Sequence, residues 1–177
     1  MPTYLTPTPL GWVAWRESAR GVCACCLPQP TGAAALAALG ASAAEEVDPT
    51  RHVLAGRLVR YYGGERQDLR DVPLDLGAET EFQAAVRAVV RAIAPGRVRS
   101  YGQVAAAVGR PGAARAVGRV MATNPVPPFV PCHRVVAADG GLGGFSGGLA
   151  LKATLLAQEG YRCERSWCGG SAERLSC

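Results

Sequence analysis

The sequence predicts an α+β protein. A small N-terminal α/β unit, residues 1–77, precedes a mainly helical C-terminal part, residues 78–163, and a polar tail, residues 164–177. Three observations carry this reading. Apolar residues in the first part fall in short runs bounded by turn residues. From residue 80 onward they recur at helical spacing behind good cap residues. Between the two regimes, residues 77–80 break both patterns.

Each element is dictated by its residues. Residues 10–27 place Trp12, Val13, Trp15, Val22, Cys23 and Cys25 around a turn near 18–21 and read as two strands. Residues 32–44 are alanine-rich and predict a helix. Over 49–62, Val53, Leu54, Leu58, Tyr61 and Tyr62 keep helical spacing until Gly63-Gly64 stops them. Residues 72–76, with Leu74 and Leu76 alternating, read as a further strand. Thr80 is an N-cap for a helix whose apolar face carries Phe82, Val86, Val89, Val90 and Ile93 and which ends before Pro95-Gly96. Ser100 caps a short helix over 101–108, residues 109–112 turn, and a third helix covers 113–123. Two short helices around a glycine-containing turn are the pattern of a helix-turn-helix, whose second helix meets DNA. Pro125, Pro127, Pro128 and Pro131 make 124–131 a stiff extended loop that positions Cys132 and His133. A glycine-rich turn over 140–148 leads into a last helix over 149–158, and the tail is expected to be disordered in part.

Composition narrows the function classes. The 177 residues are 49% hydrophobic, enough for a packed core. No apolar run approaches the roughly 20 residues of a membrane helix. The start, Met1-Pro2-Thr3-Tyr4, has no secretory pattern. These features predict a soluble, cytoplasmic protein without a membrane partner. The seven cysteines are odd in number, which argues against a disulfide framework.

The net charge of +5 is unevenly spread. Residues 1–75 hold seven basic and eight acidic side chains, whereas 76–177 hold twelve and six. No carboxylate occurs between Glu81 and Asp139, a stretch with eight arginines: Arg87, Arg91, Arg97, Arg99, Arg110, Arg115, Arg119 and Arg134. Such segregation points to a polyanion partner, although an arginine-biased composition explains part of it.

The chemistry converges on Cys132. An ordinary thiol is mostly protonated at pH 7, so a nucleophilic one needs a base or a positive neighbourhood. Cys132 comes directly after the proline loop, sits beside His133 and lies within the basic stretch, all of which favour a thiolate. In extended chain, neighbouring side chains point to opposite sides, so His133 needs a bend or a bridging water to act on Cys132. Glu159 is the candidate to orient the imidazole. Taken alone, a Cys-His dipeptide is more often structural than catalytic. A metal reading is weaker: Cys132 and His133 lack ligand spacing, and the only other histidine is His52. Cys23, Cys25 and Cys26 read as strand and turn residues, and no metal or cofactor is expected.

The run from Asn124 through Pro131-Cys132-His133-Arg134-Val135-Val136 resembles the active-site signature of the O6-alkylguanine-DNA alkyltransferases, or methylated-DNA–protein-cysteine methyltransferases. Ser100-Tyr101-Gly102-Gln103-Val104-Ala105 looks like the family's segment opening the helix-turn-helix, and Ala113-Ala114-Arg115-Ala116-Val117-Gly118 like its recognition helix. Gly143-Gly144-Phe145-Ser146-Gly147-Gly148 looks like the substrate-pocket loop, and Lys152 through Glu159-Gly160 like the closing helix. The resemblance is dense over 82–160 and loose before it.

This resemblance implies a ribonuclease H-like N-terminal domain and a winged-helix-like C-terminal one. It implies irreversible, stoichiometric transfer of an alkyl group from O6-alkylguanine in DNA, with O4-alkylthymine as a further candidate substrate, to Cys132 after nucleotide flipping. His133 would take the thiol proton through a water, Glu159 would hold His133, Asn124 would brace the network and Tyr101 would protonate the departing guanine. Arg115 would fill the gap left by the flipped nucleotide, with Ala113, Ala114, Ala116, Gly118, Arg119 and Ser100 also facing DNA. Tyr101, Val135, Gly143, Phe145 and Ser146 would form the substrate pocket. The partner would be lesion-bearing duplex DNA, bound without sequence preference through the minor groove by a monomer. Phe145 stands where the family commonly has tyrosine, and Arg87 and Ala94 where it has tryptophan and proline. The alternatives are a non-repairing lesion binder of the same fold, which typically carries tryptophan in place of the cysteine, a Cys-His hydrolase, and a transcription factor. Cys132 argues against the first; the proline loop and arginine helix have no role in the second; the third leaves Cys132, His133 and Glu159 unexplained.

Overall fold

The computed structural model describes residues 1–161. The tail over 164–177 lies outside the described residues, as do Cys163, Cys168 and Cys177. The architecture is α+β. A four-stranded sheet is built from β1 (Thr3–Thr8), β2 (Gly11–Ser18), β3 (Gly21–Cys25) and β4 (Glu45–Glu46) in the order β3-β2-β1-β4. The first three strands form an antiparallel meander, and β4 runs parallel to β1.

The sheet is covered on both faces, which explains the unbroken apolar run Trp12-Val13-Ala14-Trp15 in β2. On one face Ala14 and Leu5 pack with Ala35 of α1 (Gly32–Leu39), flanked by Trp12 and Leu36. On the other, Val13 and Trp15 pack with Leu58, Tyr61 and Tyr62 of α2 (Val53–Tyr62). That second core continues without a break into Val86, Val104, Val117, Phe129 and Leu155 of the C-terminal part.

Two expectations are corrected in this half, and one strand is added to those the sequence predicts. β1 is a strand despite Pro7; that proline is exposed and lies beyond the two residues, Tyr4 and Leu5, that β4 engages, so its missing N–H breaks no ladder there. The helix expected over 32–44 stops at Leu39, because Gly40 takes a left-handed cap at φ 67° and the chain turns into β4. Residues 72–76 form only a single bridge, Val22 to Leu74, beside β3, because Pro73 cannot donate to a ladder.

In the C-terminal half, α3 (Glu81–Arg91) and α4 (Tyr101–Ala107) each begin with a capping box, Thr80 with Gln83 and Ser100 with Gln103. Each cap is worth about 1 kcal/mol. α5 (Ala114–Ala122) packs against α4 as the second helix of the pair. Strands β5 (Arg99–Ser100) and β6 (Val135–Val136) pair in parallel, and α6 (Leu149–Gln158) closes the described chain. The chain is not extended through the Cys-His dipeptide: Cys132–Arg134 is one turn of 3-10 helix, closed by Arg134 N–H donating to the Pro131 carbonyl at 2.9 Å. Among the described residues no helix is long and apolar enough to cross a membrane.

Lys152 of α6 ties this half together. Its side chain is fully buried, and Nζ donates to the carbonyls of Val135 (2.6 Å), Leu142 and Gly144 (3.4 Å). Burial lowers its pKa from 10.5 to about 8, so it still carries its charge at pH 7. Lys152→Met keeps the stem but leaves these carbonyls without their shared donor. Urea denaturation of the variant should show stability reduced by about 2–4 kcal/mol; an unchanged midpoint would mean the clamp contributes nothing.

Candidate active site

Cys132 emerges from the proline loop into the 3-10 turn, and Asn124 holds the two ends of that loop together. Asn124 Nδ2 donates to the Val130 carbonyl at 2.7 Å and to Cys132 Sγ at 3.3 Å, and its Oδ1 accepts from Val126 N–H at 3.2 Å. Burial pushes the Cys132 thiol up, opposed by the Asn124 hydrogen bond and the Lys152 charge. The resting group is a thiol, which corrects the expectation of a thiolate favoured by the surrounding arginines. Burial decides this, and three of those arginines are committed elsewhere. Arg87 pairs with Glu79, Arg91 donates to the carbonyls of Arg70 (2.8 Å) and Val72 (2.5 Å), and Arg134 is buried on Glu159. Arg97, Arg99, Arg110, Arg115 and Arg119 are exposed, so the basic footprint is five side chains rather than eight.

Behind the turn lies a buried charge cluster. Glu159 stands at the C-terminal end of α6 and accepts from Arg134 twice, Nε to Oε2 at 2.8 Å and a terminal nitrogen to Oε1 at 2.6 Å. Its Oε1 lies 3.0 Å from His133 Nε2 and accepts the Tyr61 hydroxyl at 3.0 Å, and Oε2 accepts Gly96 N–H at 3.4 Å. Burial alone would raise the Glu159 pKa; the hydrogen bonds from His133 and Arg134 more than offset it and hold it at about 2. Glu159 is therefore a carboxylate, which can only accept, and the proton between it and His133 belongs to Nε2. Burial lowers the His133 pKa, against the pull of Glu159. A neutral imidazole with Nε2–H leaves Nδ1 as the basic nitrogen, and no protein group among the described residues hydrogen-bonds it. The side chains of Cys132 and His133 share no hydrogen bond.

On its other side Cys132 floors a cavity of about 500 Å³ lined by Tyr101, Arg115, Gly118, Met121, Phe145 and Ser146, with Ala114, Ala122 and Gly144 completing the wall. The lining is largely apolar. Tyr101, which opens α4, donates its hydroxyl to the Gly144 carbonyl at 3.2 Å. The loop carrying Phe145 lies against the N-terminal half: a Cβ on Gly147 would come within 2.7 Å of the Leu27 side chain and 2.9 Å of the Leu151 side chain, so a larger residue there would have to displace both. Phe145 presents its ring to Lys152 Nζ at 5.8 Å.

The residues expected to meet substrate or DNA fall into distinct places. Tyr101, Phe145 and Ser146 line the cavity; Val135 is fully buried behind it and Gly143 backs the Tyr101 ring. Arg115 and Arg119 are exposed on α5, Ala114 and Gly118 share its cavity side, Ala116 is half-buried and Ala113 immediately precedes the helix. The Ser100 hydroxyl is engaged in capping, accepting from Gln103 N–H at 3.1 Å. The sequence did not single out Tyr61 as a site residue, nor Met121 or Ala122, and Arg134 was counted only within the basic stretch and the signature around Cys132. The helical spacing 114, 118, 121 and 122 could have supplied Met121 and Ala122. His52 caps α2 and packs tilted against Tyr4 and edge-on against Trp15.

The chain is similar to known proteins both in sequence and in fold. Residues 81–161 match the family model described as the DNA-binding domain of 6-O-methylguanine DNA methyltransferase. The chain is 44% identical over 108 residues to a methylated-DNA–protein-cysteine methyltransferase of Salmonella typhimurium, covering 61% of this chain and 63% of that protein. It is 56% identical over 77 residues to the human protein of that name, covering 44% and 37%. These matches thus span less than two thirds of the curated relatives' length. Among solved structures, the Mycobacterium tuberculosis O6-methylguanine methyltransferase superimposes with a TM-score of 0.69 at 31% identity, covering 89% of this chain and 92% of that one. A Mycobacterium tuberculosis OGT in complex with DNA gives 0.69 at 30%, covering 90% and 92%. With a family-model match over residues 81–161 and a common fold at 30–31% identity over about nine-tenths of both chains, this chain belongs to the 6-O-methylguanine DNA methyltransferase family.

Proposed function

We propose that the protein repairs DNA directly, by moving the alkyl group of O6-alkylguanine to Cys132 Sγ once per molecule. The observation that carries this reading is the position of Cys132, a buried thiol flooring an apolar cavity whose rim bears the exposed Arg115. A cavity of about 500 Å³ suits a single base rather than a duplex. The alkyl carbon on O6 cannot be reached in line while the base is stacked and paired, so the nucleotide is flipped into the cavity at a cost of a few kcal/mol. Arg115 fills the gap it leaves. Ala113, Ala114, Ala116 and Gly118 make the α5 surface slim enough for a minor groove about 6 Å wide, where sequence is poorly read. The five exposed arginines supply attraction to phosphates.

In the chemical step His133 Nδ1 takes the Cys132 proton through one bridging water, and Glu159 and Arg134 hold the imidazole. Sγ attacks the alkyl carbon, the S–C bond forms and the C–O bond breaks. Tyr101 turns its hydroxyl from the Gly144 carbonyl toward the base and protonates the departing guanine. A buried, protonated resting thiol fits this scheme: burial raises its pKa, so it ionises only when His133 takes its proton through the bridging water. Residues 1–77 act as a ribonuclease H-like domain and 78–163 as a winged-helix-like domain, working as a monomer. A lesion binder that does not repair would have no use for the relay behind residue 132.

Two measurements test the reading. The product is a thioether, which has no disulfide-type reductive exit. Intact mass after incubation with excess O6-methylguanine duplex should rise by a single methyl, located on the Cys132 peptide, and then stop. Cys132→Ala should lose transfer and keep DNA binding; continued turnover would sink the proposal. Separately, Arg115→Ala should slow duplex repair sharply, single-stranded repair less, and reaction with free O6-benzylguanine least, because only the duplex demands flipping. An equal loss on all three would place Arg115 in the chemistry or the fold instead.

A further inference from the structure

The cavity, the relay and the arginine helix all lie on the C-terminal half. The buried hydroxyl of Tyr61 does not. It comes from α2, 72 residues before His133 in the chain, and it reaches the centre of the charge cluster. Its oxygen lies 3.1 Å from His133 Nε2 and 3.0 Å from Glu159 Oε1, while those two atoms are themselves 3.0 Å apart. The three form a closed triangle.

Proton counting assigns the bonds. Glu159 is a carboxylate and accepts only, so the phenol proton goes to Oε1. The Tyr61 oxygen then turns a lone pair toward Nε2, and the single Nε2–H is shared between two acceptors, one carboxylate oxygen and one phenol oxygen. Both acceptors gain strength when the ring becomes an imidazolium. Burial and the neighbouring carboxylate push the Tyr61 ionisation up, so it stays a neutral dipole and does not compete as a base. Its position is well fixed: the ring packs edge-on against Tyr62 at 5.1 Å, and α2 is anchored at its start by His52 between Tyr4 and Trp15.

We propose that Tyr61 is a positioning residue for alkyl transfer: with Glu159 it holds the Nε2–H tautomer of His133 and stabilises the imidazolium formed as Cys132 gives up its proton. The N-terminal half thereby completes the relay rather than only supporting it. This role rests on His133 acting as the base. The charged and titratable groups around the His133–Cys132 pair are Tyr61 and Tyr62 from α2, Tyr101 from α4, Arg134 from the turn itself, and Lys152 and Glu159 from α6. Of these, only Tyr61 and Glu159 accept from Nε2.

The pH dependence of single-turnover reaction with free O6-benzylguanine tests this without involving DNA. Without Tyr61 the imidazolium is less stabilised, so the thiol is harder to ionise through His133. Tyr61→Phe, which keeps the ring, should slow alkylation about tenfold at pH 7. The deficit should close as pH rises toward about 10, where hydroxide ionises thiols without a relay. Tyr62→Phe removes a hydroxyl that has no hydrogen-bond partner among the described residues and should leave rate and profile unchanged. His133→Gln should show a larger deficit that also closes with alkali. A Tyr61→Phe deficit constant across pH would mark a packing role and overturn the proposal, as would a wild-type profile. If the His133→Gln deficit does not close with alkali, the relay reading itself fails and takes the Tyr61 proposal with it.

Discussion

The Glu159 carboxylate is the group on which the rest of the site depends. It is a buried anion at the end of α6, and a buried charge is tolerated only with close partners. Arg134 satisfies it from the turn after Cys132, Gly96 from the loop after α3, and Tyr61 from α2. One carboxylate thus joins segments from both halves of the chain. The approach is close: a Cβ on Gly96 would come within 2.7 Å of the Glu159 carbonyl, and Gly96 has φ 77°. His133 is the group that gains from this arrangement, because its protonation state is dictated by an acceptor that cannot itself hold a proton.

A second consequence is that the site stores little charge where chemistry begins. Burial holds the Cys132 thiol protonated and His133 neutral, while Arg134 and Glu159 cancel behind them. Positive charge is displaced to the exposed arginines on and near α5. In the proposed reaction, attraction for a polyanion and activation of the thiol therefore fall to different residues. In a low-dielectric cavity the small rearrangement from thiol and imidazole to thiolate and imidazolium is strongly felt by nearby dipoles, which is why single hydroxyls such as those of Tyr61 and Tyr101 can matter.

Much of this was legible in the residues, and the limits have physical causes. The capped helices α3 and α4 were readable because Thr80 and Ser100 each have glutamine at the third helical position, a local signal. The Cys132, His133 and Glu159 grouping was suggested by the motif around the proline loop. β1 and β4 were not readable, since a proline in one and two glutamates in the other oppose strand propensity, and only pairing across the sheet makes them strands. The turn at 132–134 was hidden because prolines forbid helix before it without fixing the conformation after it. Arg134 looked like one more cation of the basic stretch, as a sequence gives no depth to a charge. Tyr61 looked like one more apolar position on a helix face; its hydroxyl finds its partners 72 and 98 residues away.

The site works as described only if Glu159 keeps the neutral His133 protonated on Nε2 and leaves Nδ1 free to accept the Cys132 proton. The chain has two histidines, so nitrogen-15 labelling of histidine alone gives a spectrum simple enough to assign with a His52 variant. In the unreacted protein near pH 7, the His133 ring should show a protonated, slowly exchanging Nε2 and an unprotonated Nδ1. A ring protonated on Nδ1, or on both nitrogens, would contradict this arrangement.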